Sequence, residues 1–476
     1  MKNIQNIVKR LQNIMRKDPG VNGDAQRIEQ LGWMFYLKIL DDKEYAKETF
    51  DDSYRPIIPE ELKWRNWAAD DEGITGEALE QFVNNRLFPE LMNLDVTTDH
   101  RAAMVRDIFA DNNNYMKNGT IIRQVINEIN QINFNKSQDR HLFGDIYEKI
   151  LKDLQSAGHA GEFYTPRAIT DFMAEMMDPR PEETVFDPAC GTGGFLTSAL
   201  EHIRSKYLES PEQIEQLEQT LSGQEFKPLP YLLATTNLIL HDIEVPNIYY
   251  TDALAREYTS IKKKDQVDVI LANPPFGASV SDGAEKNFPM NFRTTESADL
   301  FVVLMIRYLK EGGRAAIVLP DGSLTGEGVK QRIRQHLLEK CNLHTIVRLP
   351  NSVFQPYASV ATNLLFFEKG KPTKEIWYYE HKLPEGQKSY SKTKPIRLEE
   401  FDPIKKWWNN REENGNVWKV PVEEIKENGY DLDIKNPNVE EEERVYTTGE
   451  LIEKLKKSMN TNANLLNEIE SNIYGK

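Results

Sequence analysis

Phe186-Asp-Pro-Ala-Cys-Gly-Thr-Gly-Gly-Phe195 decides the fold. It follows a short apolar run, Thr184-Val-Phe-Asp187, that reads as a buried strand. It precedes Leu196 to Tyr207, whose apolar spacing predicts a helix. A strand, a glycine-rich turn and a helix in that order make the ligand-binding end of a doubly wound α/β sheet. Gly191, Gly193 and Gly194 leave no side chain between the backbone and a ligand. Asp187, at the end of the strand, is placed to fix a ligand's polar tail. No Gly-Lys-Ser/Thr follows, so this is not a phosphate loop. By itself the turn is compatible with any nucleoside ligand, or with none.

From about residue 140 to 420, short apolar runs alternate with helical segments. This signals a mostly parallel sheet with crossover helices. Candidate strands after the first are Leu221-Ser-Gly-Gln224, Val267 to Ala272, Arg314 to Leu319, His344 to Leu349 and Thr362 to Phe367. Several are continuous apolar runs, as strands buried on both faces should be. The second strand ends at Gly223-Gln-Glu225, and an acidic side chain there commonly accepts hydrogen bonds from ribose hydroxyls. The alternative is an exposed surface glutamate. Cys190 has no histidine beside it to act as a base, so it reads as small-residue packing and not as a nucleophile.

Asp268-Val-Ile-Leu-Ala-Asn273-Pro-Pro-Phe276 is the sharpest chemical signal in the chain. The prolines stop the strand and stiffen the turn, because proline cannot donate a ladder hydrogen bond. The Asn273 side chain and the Pro274 main chain each supply a carbonyl, so together they can hold both hydrogens of one amino group. An exocyclic adenine amino group is a poor nucleophile because its lone pair is delocalised into the ring. Two fixed acceptors draw it toward tetrahedral geometry and stabilise positive charge developing on nitrogen. A sulfonium methyl is the matching electrophile, and orientation carries much of the rate gain. Phe276 is placed to stack on a base that has left the duplex, worth about 1–3 kcal/mol. The plain alternative is a Pro-Pro turn followed by a core phenylalanine.

The rest of the chain sets limits. Its 476 residues suggest two to four domains, and 39% hydrophobic with 28% charged residues is an ordinary globular composition. No apolar run reaches the ~18 residues of a membrane helix, so no membrane partner is expected and the expected compartment is cytoplasmic. Ile4, Ile7, Val8, Leu11, Ile14 and Met15 predict an amphipathic helix in place of a signal peptide. Two cysteines, Cys190 and Cys341, make neither a disulfide framework nor a zinc site, and no metal is expected. Residues 1–135 read as a helical domain, with Asp41 to Gly73 as a long acidic and aromatic surface connection. Residues 136–435 hold the sheet. Residues 436–476 read as a charged linker and an amphipathic helix, with Thr447 and Glu450 as a capping box and Leu451, Ile452, Leu455, Met459, Leu466, Ile469 and Ile473 on one face. The net charge of −16 argues against tight DNA binding by this chain alone, because phosphate contacts need a basic surface.

Taken together, these motifs resemble the modification subunits of type I restriction–modification systems, and the likeness runs over nearly the whole chain. Gly161-Glu-Phe-Tyr-Thr-Pro-Arg167 ahead of the glycine loop, with Asn-Pro-Pro-Phe behind it, is the order of the gamma class of amino-methyltransferases. The resemblance implies an S-adenosylmethionine-dependent methyltransferase sheet, Rossmann-like, preceded by an all-α N-terminal domain and followed by a C-terminal helix. It implies adenine-N6 methylation of double-stranded DNA. It transfers cofactor binding to Glu162, Phe163, Tyr164, Thr165, Pro166 and Arg167, to Asp187, Gly191, Thr192 and Gly193, to Glu225 and to Asp252. Catalysis falls to Asn273, Pro274, Pro275 and Phe276. Ser297 to Phe301, Leu319 to Gly322 and Val353 to Ala358 would shape or support the target-base pocket. Two copies of the chain would flank one specificity subunit, with a restriction subunit able to join, so the partner supplies the grip that the acidic charge denies. The terminal helix would dock on the specificity subunit. Rival readings are a methyltransferase for protein glutamine or RNA adenine, and a catalytically silent scaffold of a DNA-defence complex.

Overall fold

The computed structural model describes residues 2–97, 99–135, 144, 147–148, 150–151, 164–208, 217–281, 283–355 and 360–438, and a few positions between 452 and 462. It divides into two units, Met1–Lys435 and Asn436–Lys476. The first carries a nine-stranded sheet, ordered β3-β2-β1-β4-β5-β7-β6-β8-β9. The strands are β1 Val185–Asp187, β2 Leu221–Glu225, β3 Asn247–Tyr250, β4 Val267–Ala272 and β5 Leu309–Pro320. They continue as β6 Cys341–Leu349, β7 Thr362–Lys369, β8 Glu375–Glu380 and β9 Val417–Pro421.

Strands β3, β2, β1, β4 and β5 run parallel. β7 slots antiparallel between β5 and β6, β8 pairs parallel with β6, and β9 closes the edge antiparallel to β8. The C-terminal ends of β1, β2, β4, β5, β6 and β8 therefore lie along one edge. Ligands of open α/β sheets bind at that edge. The six strands expected from sequence are present. β3, β8 and β9 were not expected: more exposed positions interrupt the apolar run in all three, and β3 and β9 lie at the sheet's margins.

Period-two side chains of β4 divide the unit into two cores. Val269 and Leu271 face the first core, Ile270 and Ala272 the second. The first is filled by α5 (Arg167–Met177), α6 (Gly194–Tyr207) and α7 (Pro228–Leu240), the second by α8 (Ser297–Tyr308) and α9 (Val329–Lys340). The helices that precede them share the first core: α1 (Lys2–Met15), α2 (Asp24–Phe50), α3 (His100–Asp111) and α4 (Gly119–Ile129). In α1 the expected face is the buried one, with Ile7, Leu11 and Met15 inside. Gly32 of α2 lies so close to α7 that a Cβ there would come within 2.9 Å of the Leu232 side chain. Lys43 Nζ donates to the Ile239 carbonyl at 2.8 Å, and Tyr250 Oη donates to Asp111 at 2.8 Å. The helical layer thus braces α7 and β3.

Asp41 to Gly73 is not a surface connection. Helix α2 runs on to Phe50, and Asp41, Glu44, Trp64 and Trp67 are buried. One oxygen of each carboxylate is engaged inside: Asp41 accepts the Arg65 backbone N–H at 2.8 Å, and Glu44 accepts that of Ile57 at 2.8 Å. Buried carboxylates need such partners, and acidic composition alone did not reveal them.

Of the second unit, Asn436 to Asn438 and six further residues are described. Ile452, Leu455 and Met459 are helical and exposed. Thr447, Glu450, Leu451, Leu466, Ile469 and Ile473 lie outside the described residues.

Candidate active site

β1 delivers Asp187 to the C-terminal edge of the sheet. Its side chain is fully buried; Oδ1 accepts the Ala189 backbone N–H at 3.0 Å, while Oδ2 has no hydrogen-bond partner. Burial, with the nearby Glu225 carboxylate adding to it, pushes the Asp187 carboxyl well above the usual range. The chain then turns through Gly191 and Gly193, both at positive φ (55° and 79°), a conformation that costs residues bearing a Cβ about 1–2 kcal/mol. Helix α6 starts directly after, so its first backbone N–H groups face the turn.

β2 ends at Glu225, which is buried beside the same loop. Oε2 accepts the Gly191 N–H at 3.0 Å, and Oε1 accepts those of Phe226 and Lys227 at 2.9 and 2.8 Å. The carboxylate therefore fixes the glycine turn from the neighbouring strand. Asp252, just beyond β3, accepts the Leu254 N–H at 2.9 Å and the Ser281 hydroxyl at 3.0 Å.

β4 ends in the Asn273-Pro-Pro-Phe turn. Asn273 Nδ2 donates to Thr165 Oγ1 at 2.9 Å, and Asn273 Oδ1 is buried with no hydrogen-bond partner. The Pro275 carbonyl accepts the Ser297 hydroxyl at 3.0 Å, which pins the turn to the start of α8. Phe276 is half-buried and meets Phe354 edge to face, with ring centroids 5.7 Å apart and planes at 82°.

A cleft of about 930 Å³, mouth included, joins these groups; Gly191, Glu225, Phe226, Asp252, Leu254 and Asn273 are among its walls. A narrower space of about 280 Å³ lies between Thr165, Thr192 and Phe195. The two share Ala189, Gly191 and Asn273.

Of the expected residues, Thr165, Gly191, Thr192, Glu225, Asp252, Asn273 and Pro275 line these two spaces, whereas Tyr164, Pro166, Arg167, Asp187, Gly193, Pro274 and Phe276 are not among the walls of either. Tyr164 is buried, and Pro166 leads into α5. Arg167 is held by Glu148, with Nε 2.6 Å from Oε2 and a second close contact from Nη2. Its Nη1 is buried without a hydrogen-bond partner. Glu162 and Phe163 lie outside the described residues, as do Pro356 to Ala358 of the expected pocket segment. Asp299 is a structural anion in the first turn of α8, buried and paired with Lys330 at 3.3 Å. Cys190 is buried, its Sγ packed about 3.1 Å from where a side chain on Gly223 would begin. Sequence reasoning missed the tie from Thr165 to Asn273, and Phe226 and Leu254 as cleft walls. The run Gln224-Glu225-Phe226 held the only available hint, an aromatic residue directly after the acid.

A glycine turn, an acid on the next strand and an Asn-Pro-Pro-Phe turn on β4, all at one edge of a doubly wound sheet, define an amino-group methyltransferase. The N-6 DNA methylase family matches residues 138–445, and the HsdM N-terminal domain matches residues 4–129. The chain is 54% identical to the EcoEI type I restriction enzyme methylase subunit of Escherichia coli, over 91% of this chain and 90% of that one. It is 33% identical to the EcoKI methylase subunit of Escherichia coli K12 over 57% and 53% of the two chains. A modification subunit assigned to a type I restriction enzyme of Vibrio vulnificus YJ016 superposes with a TM-score of 0.81 at 43% identity, covering 92% and 97% of the two chains. A chain from a structure of the type I R–M system gives 0.84 at 34% identity, covering 100% and 99%. The chain belongs to the methylase subunits of type I restriction–modification systems, a family of adenine-N6 DNA methyltransferases. The protein-glutamine and RNA-adenine readings give way to this. Among the described residues, no helix is long and apolar enough to cross a membrane.

Proposed function

We propose that the cleft binds S-adenosylmethionine and that the Asn273 turn receives a flipped-out adenine of double-stranded DNA. The observation that carries this reading is the buried, unpartnered Asn273 Oδ1 at the wall shared by the two spaces. An amide oxygen desolvated without a partner costs about 1–3 kcal/mol, and an amino group of a substrate would recover that.

The residues fit the cofactor. Asp187 Oδ2, also buried and unpartnered, suits an ammonium group. Thr165, Thr192 and the start of α6 suit a carboxylate, Glu225 ribose hydroxyls, and Phe226, Leu254 and Asp252 an adenine ring and its amino group. Gly191 is part of the wall, and Tyr164, Pro166 and Gly193 support the segments that carry it. Glu162, Phe163 and Arg167 complete the cofactor segment, Arg167 through its pairing with Glu148. When bound, S-adenosylmethionine supplies an electrophilic methyl group on its sulfonium sulfur. Asn273 Oδ1 and the Pro274 carbonyl accept the two hydrogens of the target amino group and aim its lone pair. Both carbonyls then stabilise the positive charge that grows on nitrogen. Pro275 keeps the turn rigid, Phe276 stacks on the base, and Phe354 backs Phe276.

Residues 1–135 form the helical domain of this enzyme, 136–435 its methyltransferase domain, and 436–476 a linker and docking helix for the specificity subunit. Two copies flank one such subunit, a restriction subunit is able to join them, and the assembly works in the cytoplasm. The test is calorimetric binding of S-adenosylmethionine, followed by methyl transfer to DNA with the specificity subunit present. Cofactor binding by the wild type, its loss in Gly191→Asp, and binding without transfer in Asn273→Ala are the expected results. A wild type that binds no cofactor, alone or with its partner, would leave the silent scaffold as the better account.

A further inference from the structure

Residues 381–397, His-Lys-Leu-Pro-Glu-Gly-Gln-Lys-Ser-Tyr-Ser-Lys-Thr-Lys-Pro-Ile-Arg, hold five basic side chains and one carboxylate in a chain of net charge −16. The five, Lys382, Lys388, Lys392, Lys394 and Arg397, are all exposed. The segment leaves the C-terminal end of β8, which runs parallel to β6. It therefore emerges on the edge of the sheet that carries Glu225 and Asn273.

This loop has a defined shape. Gln387 N–H closes a turn on the Pro384 carbonyl at 2.9 Å. Ser391 and Lys394 exchange backbone hydrogen bonds at 3.0 and 3.1 Å, which puts Lys392 and Thr393 at the tip of a tight hairpin. Between the turns, Tyr390 is buried. Its backbone N–H donates to Ser352 Oγ at 2.9 Å, its hydroxyl donates to Glu400 at 2.6 Å, and His381 Nε2 lies 3.1 Å from that hydroxyl. Ser352 is two residues from Phe354, and Phe354 touches Phe276 of the Asn-Pro-Pro-Phe turn. A rigid, basic loop is thus tied through Tyr390 and Ser352 to the ring that backs the target-base pocket.

We propose that residues 382–397 are the surface through which this chain holds the DNA backbone beside the target base. This rests on the reading of the cleft as a DNA adenine site. Two other lysine-rich stretches, Lys262-Lys-Lys264 and Lys369-Gly-Lys-Pro-Thr-Lys374, precede β4 and follow β7, at the opposite edge of the sheet. They carry similar charge in the wrong place. The basic loop meets the −16 problem locally: the long-range field of the chain is repulsive, but at short range a Debye length of roughly 8 Å isolates the loop from it.

The test uses the complete complex with the specificity subunit, comparing wild type with the triple variant Lys388→Ala/Lys392→Ala/Lys394→Ala. A second triple variant, Lys263→Ala/Lys264→Ala/Lys371→Ala, removes the same charge from the opposite edge. DNA binding is titrated at several salt concentrations. The loop variant is expected to bind DNA roughly tenfold more weakly, with a slope of log affinity against log salt shallower by up to about 2.7, or about 0.9 per phosphate contact. Its affinity for S-adenosylmethionine should not change, and the opposite-edge variant should match the wild type. A loop variant with wild-type affinity and slope overturns the proposal, as does an equal loss in the opposite-edge variant. A wild-type complex that neither binds nor methylates DNA defeats the reading of the site itself, and the proposal with it.

Discussion

Thr165 Oγ1 accepts a hydrogen bond from Asn273 Nδ2 at 2.9 Å, across 108 residues of chain. The bond orients the amide so that its oxygen, not its nitrogen, faces the cleft. Thr165 is thereby a positioning residue for Asn273 as well as a wall of the narrower space. Thr165→Val removes the acceptor at nearly constant volume. The amide then loses a hydrogen bond worth about 1–2 kcal/mol, and kcat should fall by roughly 5- to 30-fold. Thr165→Ser should restore most of it. Steady-state kinetics would check this: a defect confined to the KM for cofactor, with kcat untouched, would mean that Thr165 serves the cofactor alone.

Asn273 itself offers a sharper contrast. Asn273→Ala removes the side-chain acceptor and should lower methyl transfer by about 10²- to 10³-fold, the usual range for losing one fixed transition-state hydrogen-bonding group. Asn273→Asp keeps an oxygen toward the amino group, and the Thr165 hydroxyl can donate to the other oxygen. The aspartate variant should therefore retain distinctly more activity than the alanine variant. Single-turnover transfer of labelled methyl, with cofactor binding measured in parallel, separates the two. Equal losses would count against amide-oxygen acceptance as the function of this side chain.

Asp187 gives the pH dependence. Its folded-state carboxyl titrates above the usual value because it is buried and faces Glu225. The folded apo protein thus binds a proton that the unfolded chain has lost, and this contribution to stability is full below about pH 4 and fades as pH rises toward the folded value. A cationic ligand group needs the ionised form. Cofactor affinity should be highest above the raised pKa and fall as pH drops through it, with proton release on binding. Calorimetry in buffers of different ionisation enthalpy reads that proton directly. Asp187→Asn should abolish the linkage and weaken binding, yet raise the melting temperature of the apo protein at neutral pH. A lowered melting temperature would mean that the charge is already compensated without ligand.

The sequence reveals the site better than it reveals the surroundings. β1 and β4 are apolar runs bounded by glycine and proline, so period and punctuation locate Asp187 and Asn273 without ambiguity. β3 escaped notice because Asn247–Tyr250 is a short marginal strand with alternating exposure, and β8 and β9 because their aromatic residues fit either a strand or a loop. Asp41 and Glu44 misled because carboxylates read as solvent-facing until their partners, the backbone N–H groups of Arg65 and Ile57, are known. The Thr165–Asn273 bond joins segments whose proximity only the sheet order creates.

Phe276 sets the last expectation. A base leaving the duplex gives up stacking and pairing worth a few kcal/mol, and an aromatic face recovers about 1–3 kcal/mol of it. Phe276 is half-buried and meets Phe354 in a T-shaped contact, so the ring is partly exposed beside the turn. Phe276→Ala should therefore weaken productive binding of paired DNA by roughly 5- to 100-fold, while Phe276→Tyr keeps the ring and most of the activity. The loss in the alanine variant should shrink when the target adenine sits in a mismatch, because less is spent on extrusion and the populated flipped state no longer depends on the ring. Fluorescence of 2-aminopurine at the target position follows the flipped population in each pairing context. If mismatch and matched targets suffer equally from Phe276→Ala, the ring acts on the chemical step after extrusion, and its edge contact with Phe354, by fixing the turn that carries the Pro274 carbonyl, becomes the part of the arrangement that governs rate.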